Sequence, residues 1–454
     1  MTTSPARIDR LTRLATLTGR LIPDALSTSV AMLALVLAAA LALGDSLLAT
    51  MDAYYRGLWM LLPFAMQVSL LLVLSSSLGA APLFRKLAIW LSGLPRTTDQ
   101  AIALTILLTA CLSYLYWGLG LALGPLSAAY IAREAERRGL RVDYPFLLSL
   151  SSAAGSVWQF GLSASAPLLM NTPGHFLEST TGRMPLATTL FAPASIAFVA
   201  AFVLALIVVA RALAPRAISE FPEASAMADL RHAAAADAKS GPESASDFSA
   251  RLEAHPLPVA VLGLALLGWL VYHFGIKGGG LELNAHNTIL LLLCLVFHGN
   301  VRSFTKALQA AVASVWPVLV LFHVYAGVGG LIQYTTVGES FASLFASMST
   351  RLTFPLIIAL EAAIVSLFVP TSGGHWVIQG FVVTRAAEAV GVSAQRGLLA
   401  FGAGDQAGSP LSPIWIVVAA GIARVDFRSF IGYNLVFSLL WFVLGVLAFT
   451  FLPA

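Results

Sequence analysis

Long apolar stretches alternate with short polar ones along most of the chain. A helix needs about 20 apolar residues to cross some 30 Å of hydrocarbon. Runs near or above that length fall at 28–49, 57–79, 145–170, 189–214, 256–275, 286–299, 311–334, 397–420 and 428–452, the sixth being short. Two further stretches, 101–138 and 354–391, begin apolar, break at glycines and run into charged residues. Their breaks are Trp117-Gly118-Leu119-Gly120 and Pro370-Thr371-Ser372-Gly373-Gly374-His375. Each is read as a helical hairpin that enters the membrane, turns and leaves on the same side. The pattern predicts an all-α polytopic membrane protein. A polar segment at 215–254, with His232 and Lys239-Ser240-Gly241-Pro242, reads as a solvated linker without a packed fold.

The order of elements repeats. Span, span, hairpin, broken span and span occupy 28–214, and the same series occupies 286–452, offset by about 250 residues. Ala132-Arg133-Glu134-Ala135 after the first hairpin break is matched by Ala386-Ala387-Glu388-Ala389 after the second, and Gln159-Phe160-Gly161 by Gln406-Ala407-Gly408. Span 256–275 has no counterpart and carries the chain across once more, so the second repeat is expected to be inverted. The organisation read from this is a first repeat at 1–214, a cytoplasmic linker at 215–254, a connecting span within 255–284 and a second repeat at 285–454. Inverted repeats with broken helices meeting at mid-membrane are the architecture of secondary transporters.

Composition agrees with lipid as the solvent. Of 454 residues, 58% are hydrophobic and 11% charged, against ~25% charged in soluble domains. A cytosolic enzyme and a disordered chain are both excluded. The net charge of +4 does not point to nucleic acid, since the basic residues are scattered without a basic helix or finger pattern. Sorted by segment, 20 of the 26 Lys and Arg fall on the side of the N-terminus, which carries Arg7, Arg10, Arg13 and Arg20. The positive-inside rule then puts that side in the cytoplasm. The first apolar run is too long for a cleaved signal. Cys111 and Cys294 sit in apolar runs and read as small hydrophobes rather than a disulfide or a transition-metal site.

Candidate chemistry gathers where backbone must leave the helix at membrane depth, at 117–124, 155–161, 370–375 and 404–413. Half-helix starts there suit a carboxylate, and freed carbonyls and hydroxyls suit a small cation. The second pair of breaks is the more polar, with Thr371, Ser372, His375 and Gln379 on one side and Asp405, Gln406, Ser409 and Ser412 on the other. A carboxylate at this depth is a functional candidate by default. Asp405 has two readings, as the site of a coupling Na⁺ or H⁺ and as the N-cap of a second half-helix. His375 either donates to an anion or packs at the hairpin tip; Glu361 either works or faces a polar crevice. Tyr114, Trp117 and Trp158 read first as packing residues, and Gly155, Ser156, Gly161, Ser163 and Ser165 as small residues that let helices approach. The proposed core has no Lys or Arg, which favours a monocarboxylate, or an acid entering with Na⁺ or H⁺, over a di- or tricarboxylate.

The stretch Pro370-Thr-Ser-Gly-Gly-His-Trp-Val-Ile-Gln-Gly380 resembles the short-chain fatty acid transporter family. So do Tyr116-Trp-Gly-Leu-Gly120, Asp143-Tyr144-Pro145 and Ala166-Pro-Leu-Leu-Met-Asn-Thr-Pro-Gly174, and the resemblance runs nearly end to end. It implies uptake of short fatty acids such as butyrate or acetoacetate across a bacterial inner membrane. It also implies ion coupling, no organic cofactor, and substrate held between two hairpins and two broken helices, often in a homodimer. The residues expected at the substrate are Trp117, Gly118, Gly120, Trp158, Gln159, Thr371, Ser372, Gly373, Gly374, His375 and Gln379, with Asp405, Gln406 and Ser409 at the coupling ion, a Na⁺ near Asp405 included. Two alternatives stand beside this: a symporter for another organic anion such as a dicarboxylate, and a membrane enzyme using Asp405 and His375 as an acid–base pair.

Overall fold

The computed structural model describes residues 25–82, 93–215, 248–312, 315–367, 371–412 and 429–453, with Lys86, Leu87, Trp90, Leu91, Val369, Trp415 and Val425. The basic N-terminal segment, most of the linker with His232, Pro370 and the far part of the last broken span lie outside the described residues.

All regular structure among the described residues is helical. The first half consists of α1 (Ala25–Ala42), α2 (Leu47–Trp59), α3 (Leu62–Ala80), α4 (Thr98–Leu115), α5 (Trp117–Arg137), α6 (Tyr144–Gly155), α7 (Ser165–Asn171), α8 (Glu178–Thr181) and α9 (Pro193–Leu213). After α10 (Phe248–Ala254) and α11 (Leu257–Val271), the second half has α12 (Leu283–His298), α13 (Val301–Val312), α14 (Trp316–Tyr334), α15 (Thr336–Met348), α16 (Phe354–Val365), α17 (Ser372–Ala389), α18 (Ala394–Gly408) and α19 (Ile431–Phe451). Helix starts are locally encoded. Thr97, Asp143 and Ser393 each accept a backbone N–H of the first turn of α4, α6 and α18, as preferred N-caps do. α12 stops at Gly299, whose φ of +73° is one that glycine adopts without strain.

The series membrane helix, short helix, membrane helix, hairpin, broken helix, membrane helix thus appears twice, with α11 unmatched. Two elements depart from the sequence expectation. The links after α1 and α12 are the helices α2 and α13 rather than loops, so the run expected at 311–334 splits and α14 begins at Trp316. The physical reason is amphipathicity. On α13, Phe304 and Ala311 are buried while Lys306 is exposed. The chain also bends by 75° between α14 and α15. At the end of the segment read as linker, Phe248–Ala254 is helical.

Packing between the halves is reciprocal: α3 lies on α12 and α13, and α14 lies on α1 and α2. Directions follow from the contacts. Asn287 Nδ2, Cys294 Sγ and His298 Nε2 on α12 bond the carbonyls of Gln67, Leu74 and Ser77 on α3, each at 2.9 Å. Rising numbers on both sides mean parallel helices. By contrast Ala53 and Gly57 meet Gly330, Gly57 also meets Ala326, and Phe64 stacks on Phe322 at 6.4 Å. Numbers rise on one side and fall on the other, so α14 runs against α2 and α3. The latter two form one nearly continuous helix from Leu47 to Ala80.

Each hairpin is held against its own broken helix. In the first half α4 and α6 run parallel, with Thr98 Oγ1 donating to the Arg141 carbonyl at their starts and Thr109 beside Ser151 further along. The tip is fixed where Leu162 N donates to the Tyr114 carbonyl at 2.7 Å, inside the break that follows α6. In the second half α16 and α18 run parallel, Gly404 against Ala359 and Gly408 against Ala363, and Ser412 Oγ reaches the Leu367 carbonyl at 3.4 Å. The arms α4 and α5 pack along each other, whereas α16 packs on α18 far more than on α17. Large apolar side chains such as Leu35, Leu204, Val208, Val261, Leu264 and Leu439 point outward, as a lipid-facing surface requires.

Candidate functional site

α18 meets the turn at Ser156–Phe160 and α7 of the first broken helix, and α17 packs against both α18 and α7. Asp405 lies in the last turn of α18, which ends at Gly408. It is therefore not an N-cap: it sits at the carbonyl end, where the helix dipole disfavours negative charge. Compensation comes from outside the helix. His375, in the first turn of α17, places Nδ1 2.7 Å from Asp405 Oδ1, and Gln159 Nε2 donates to Oδ2 at 3.0 Å. Gln159 Nε2 is also 2.7 Å from Ser372 Oγ, so one amide joins the first broken helix to the second hairpin and the second broken helix. His375 and Asp405 are essentially inaccessible, at 0% and 1% exposed. With ionised Asp405 as acceptor, Nδ1 carries the proton.

A second bond crosses the other way. Gln406 Nε2 donates to Ser156 Oγ at 3.2 Å. Each half thus sends a glutamine across to the other, at the positions the internal similarity had paired. The amide oxygens of both glutamines and His375 Nε2 are buried and have no hydrogen-bond partner among the described residues. Three polar atoms in one neighbourhood are thus free for a ligand, because a buried polar atom without a partner is costly. Ser409 Oγ turns back onto the Asp405 carbonyl at 3.0 Å. The first break is a 3₁₀ turn, Ser156–Phe160, and Ser165, just beyond it, lies against Gly373 of the hairpin tip.

The first hairpin supplies a different surface. Trp117 N donates to Ser163 Oγ at 2.9 Å, and its ring lies 6.0 to 6.4 Å from those of Tyr116, Trp158 and Trp415. Trp158 and Gln159 are neighbours in the same turn, so that turn links an aromatic wall to the polar cluster. The backbone break is narrower than expected. Only Tyr116 leaves the helix, and residues 117–124 belong to α5. Gly118 and Gly120 are there for space rather than a turn: a Cβ at Gly120 would overlap Ser113, and one at Gly118 the Tyr116 ring. Residues 404–408 are likewise helical, and the second break begins at Ser409. Gly374 packs against Thr371, whose hydroxyl is buried without a partner among the described residues. Gln379 makes no hydrogen bond to the Asp405 cluster and donates to Glu361 across the second hairpin.

Of the expected residues, the structure therefore unites Gln159, Ser372, His375, Asp405 and Gln406, with Gly373 and Ser409 adjoining. It gathers Trp117 and Trp158 separately and leaves Gly118 and Gly120 inside the first hairpin. Ser156 and Ser163, read as packing residues, hold the site by hydrogen bonds; their positions inside the first break were the available signal. Trp415 went unread because a lone tryptophan in an apolar run has no local signature. No Lys or Arg is buried among the described residues.

The family model "Short chain fatty acid transporter" matches residues 7–452. A protein of Escherichia coli (strain K12) named "Putative short-chain fatty acid transporter" is 29% identical over 399 residues, covering 87% of this chain and 88% of its own. One of the same name from Haemophilus influenzae is 28% identical over 461 residues, covering 97% and 99%. The crystal structure of the Alcanivorax borkumensis YdaH transporter, described as having an unusual topology, superposes with a TM-score of 0.61 at 16% identity, covering 94% of this chain and 98% of that one.

Proposed function

The chain belongs to the short chain fatty acid transporter family, a family of membrane transporters and not of enzymes, and on that premise we propose that it carries short-chain monocarboxylates such as butyrate or acetoacetate by alternating access, coupled to a cation. The observation that carries the proposal is the joining of Gln159, Ser372, His375 and Asp405 by three hydrogen bonds drawn from both halves. A ligand there touches the first broken helix, the second hairpin and α18 together.

Charge sets the substrate class. The positive groups available are the first N–H groups of α17 and a protonated His375, with no buried Lys or Arg among the described residues. One carboxylate can be neutralised this way; two or three cannot, which disfavours the dicarboxylate alternative. A substrate anion placed beside Asp405 repels it unless a positive charge binds too, and that requirement is the coupling. The donors already facing Asp405, a ring N–H and an amide N–H, occupy both carboxylate oxygens, which disfavours Na⁺ there, since its ligands are oxygen atoms. The aromatic wall of Trp117, Trp158 and Trp415 suits a short alkyl tail.

The antiparallel run of α14 against α3, together with the reciprocal packing of the halves, supports reading them as inverted repeats at 1–214 and 285–454. The first hairpin tip ends at the break between α6 and α7, which supports a re-entrant first hairpin. Under this reading the N-terminus and the 215–254 linker lie in the cytoplasm of a bacterial inner-membrane protein, and the outward apolar faces leave room for a homodimer. His375 and Asp405 are closed off, so loading requires one hairpin to withdraw from its broken helix. The test is uptake of labelled butyrate, acetoacetate and succinate into proteoliposomes under separate H⁺ and Na⁺ gradients. Butyrate or acetoacetate accumulating on the H⁺ gradient supports the reading. Preference for succinate, or indifference to both gradients, refutes it.

A further inference from the structure

Glu361 has no part in the cluster just described, yet it is the lone ionisable residue of α16, in the sequence Phe-Pro-Leu-Ile-Ile-Ala-Leu-Glu-Ala-Ala-Ile-Val. It lies half-buried on the first arm of the second hairpin, and Gln379 Nε2 on the other arm donates to its Oε1. The two arms touch little elsewhere. The structure thus places a carboxyl on the bond that ties the arms of the mobile element together.

The partner's chemistry is informative. Gln379 is buried, and its Oε1 has no partner among the described residues. An ionised Glu361 accepts from the amide N–H as found. A protonated Glu361 donates its O–H to the same amide after the amide reverses, since an amide offers both a donor and an acceptor. The bond is made in either state, so the carboxyl can gain or lose a proton without losing its partner on the other arm. A carboxylate held only for structure would have a cationic or multi-donor partner instead.

The position links this to the substrate site. His375 precedes Gln379 by four residues on α17, one turn along the same face, and His375 is the residue that holds Asp405. The other charged groups on the packed elements are accounted for. Arg385 pairs with Glu339 and Glu388, Arg396 donates to the Leu452 carbonyl, and α19 carries no charged residue. Among these groups His375 is the one that acts on Glu361 electrostatically, and through Asp405 it belongs to the site.

We propose that Glu361 is the proton-carrying residue of this transporter, taking up a proton as the substrate loads and giving it up where the substrate leaves. The inference rests on the reading of the chain as a short-chain carboxylate transporter. One proton from the loading side converts the carboxylate to the acid, one monocarboxylate enters, and both depart on the far side, so no net charge moves.

The test uses the full-length protein in proteoliposomes. Wild-type counterflow of labelled butyrate comes first; its absence overturns the transport reading and this inference with it. Glu361→Gln is expected to keep butyrate counterflow while losing accumulation driven by an imposed pH gradient. Its counterflow rate is also expected to lose the wild-type's dependence on pH. In parallel the wild-type protein is treated with dicyclohexylcarbodiimide, which reacts with protonated carboxyls in apolar surroundings, and the adduct is located by peptide mass spectrometry. An adduct at Glu361 that declines as pH rises supports the assignment even if the variant is poorly folded. Retained pH-driven accumulation by Glu361→Gln, or an adduct at Glu361 that is absent or independent of pH, overturns it while leaving the transport reading intact.

Discussion

Replacing Asp405 by Asn tests the polar cluster without changing its shape. In the wild type, Oδ1 faces His375 Nδ1 at 2.7 Å and Oδ2 accepts from Gln159 Nε2 at 3.0 Å. An Asn oxygen turned to His375 keeps the first bond. Its NH₂ then faces the Gln159 NH₂, and Gln159 reverses to present an oxygen that is otherwise unpartnered among the described residues. Geometry therefore survives and charge does not. A hydrogen bond to a charged group contributes about 1.5–3 kcal/mol and a neutral one about 0.5–1.5. Two weakened bonds cost about 2–3 kcal/mol, partly offset because no carboxylate remains at the carbonyl end of α18. Asp405→Asn should elute as a folded, monodisperse protein with a slightly lowered melting temperature. Gradient-driven butyrate accumulation should fall by at least about tenfold, the equivalent of ~1.4 kcal/mol. Asp405→Leu strands both donors at about 1–3 kcal/mol each and should be clearly destabilised. Wild-type accumulation by Asp405→Asn, or wild-type stability of Asp405→Leu, would refute the reasoning.

Two other substitutions probe packing. Trp117→Ala removes ring contacts with Trp158 and Trp415 and opens the aromatic wall. If the wall holds the alkyl tail, the variant loses chain-length discrimination, worth about 0.8 kcal/mol or roughly fourfold per methylene, read as the ratio of kcat/KM for butyrate over acetate; an unchanged ratio removes the wall from the site. Gly404→Val drives a side chain into the backbone carbonyl of Ala359, which cannot rotate aside. Overpacking costs typically about 1–3 kcal/mol, so a lowered melting temperature and lost uptake are expected, and a variant as stable and active as wild type would show that α16 and α18 are not so closely held.

Much of this was legible in the sequence because lipid imposes simple rules. Long apolar runs marked the long helices, and the interruptions at 155–161 and 370–375 marked where the chain leaves them. The similarity between Gln159-Phe160-Gly161 and Gln406-Ala407-Gly408 pointed to the two residues that cross between halves. What escaped was of four kinds. Helices α2 and α13 carry charged residues among apolar ones, Asp52 and Arg56 on α2 and Arg302 and Lys306 on α13, so their hydropathy is too mixed to register as separate spans. The glycines at 118 and 120 were assigned to a break because sequence does not distinguish a glycine that permits a turn from one that admits Ser113 of the facing helix. Asp405 fitted a helix start as well as a helix end, since the residues that reveal its true place, His375 and Gln159, are 30 and 246 positions away. The bond between Gln379 and Glu361 depends on how the hairpin closes, which no local pattern records.

Counterflow tests the central claim most directly, because exchange needs no driving ion and reports carriage alone. Proteoliposomes loaded with unlabelled butyrate should take up external labelled butyrate transiently, and internal acetoacetate should substitute for internal butyrate. Internal succinate should not. No exchange with any monocarboxylate, or succinate serving as well as butyrate, would contradict the account.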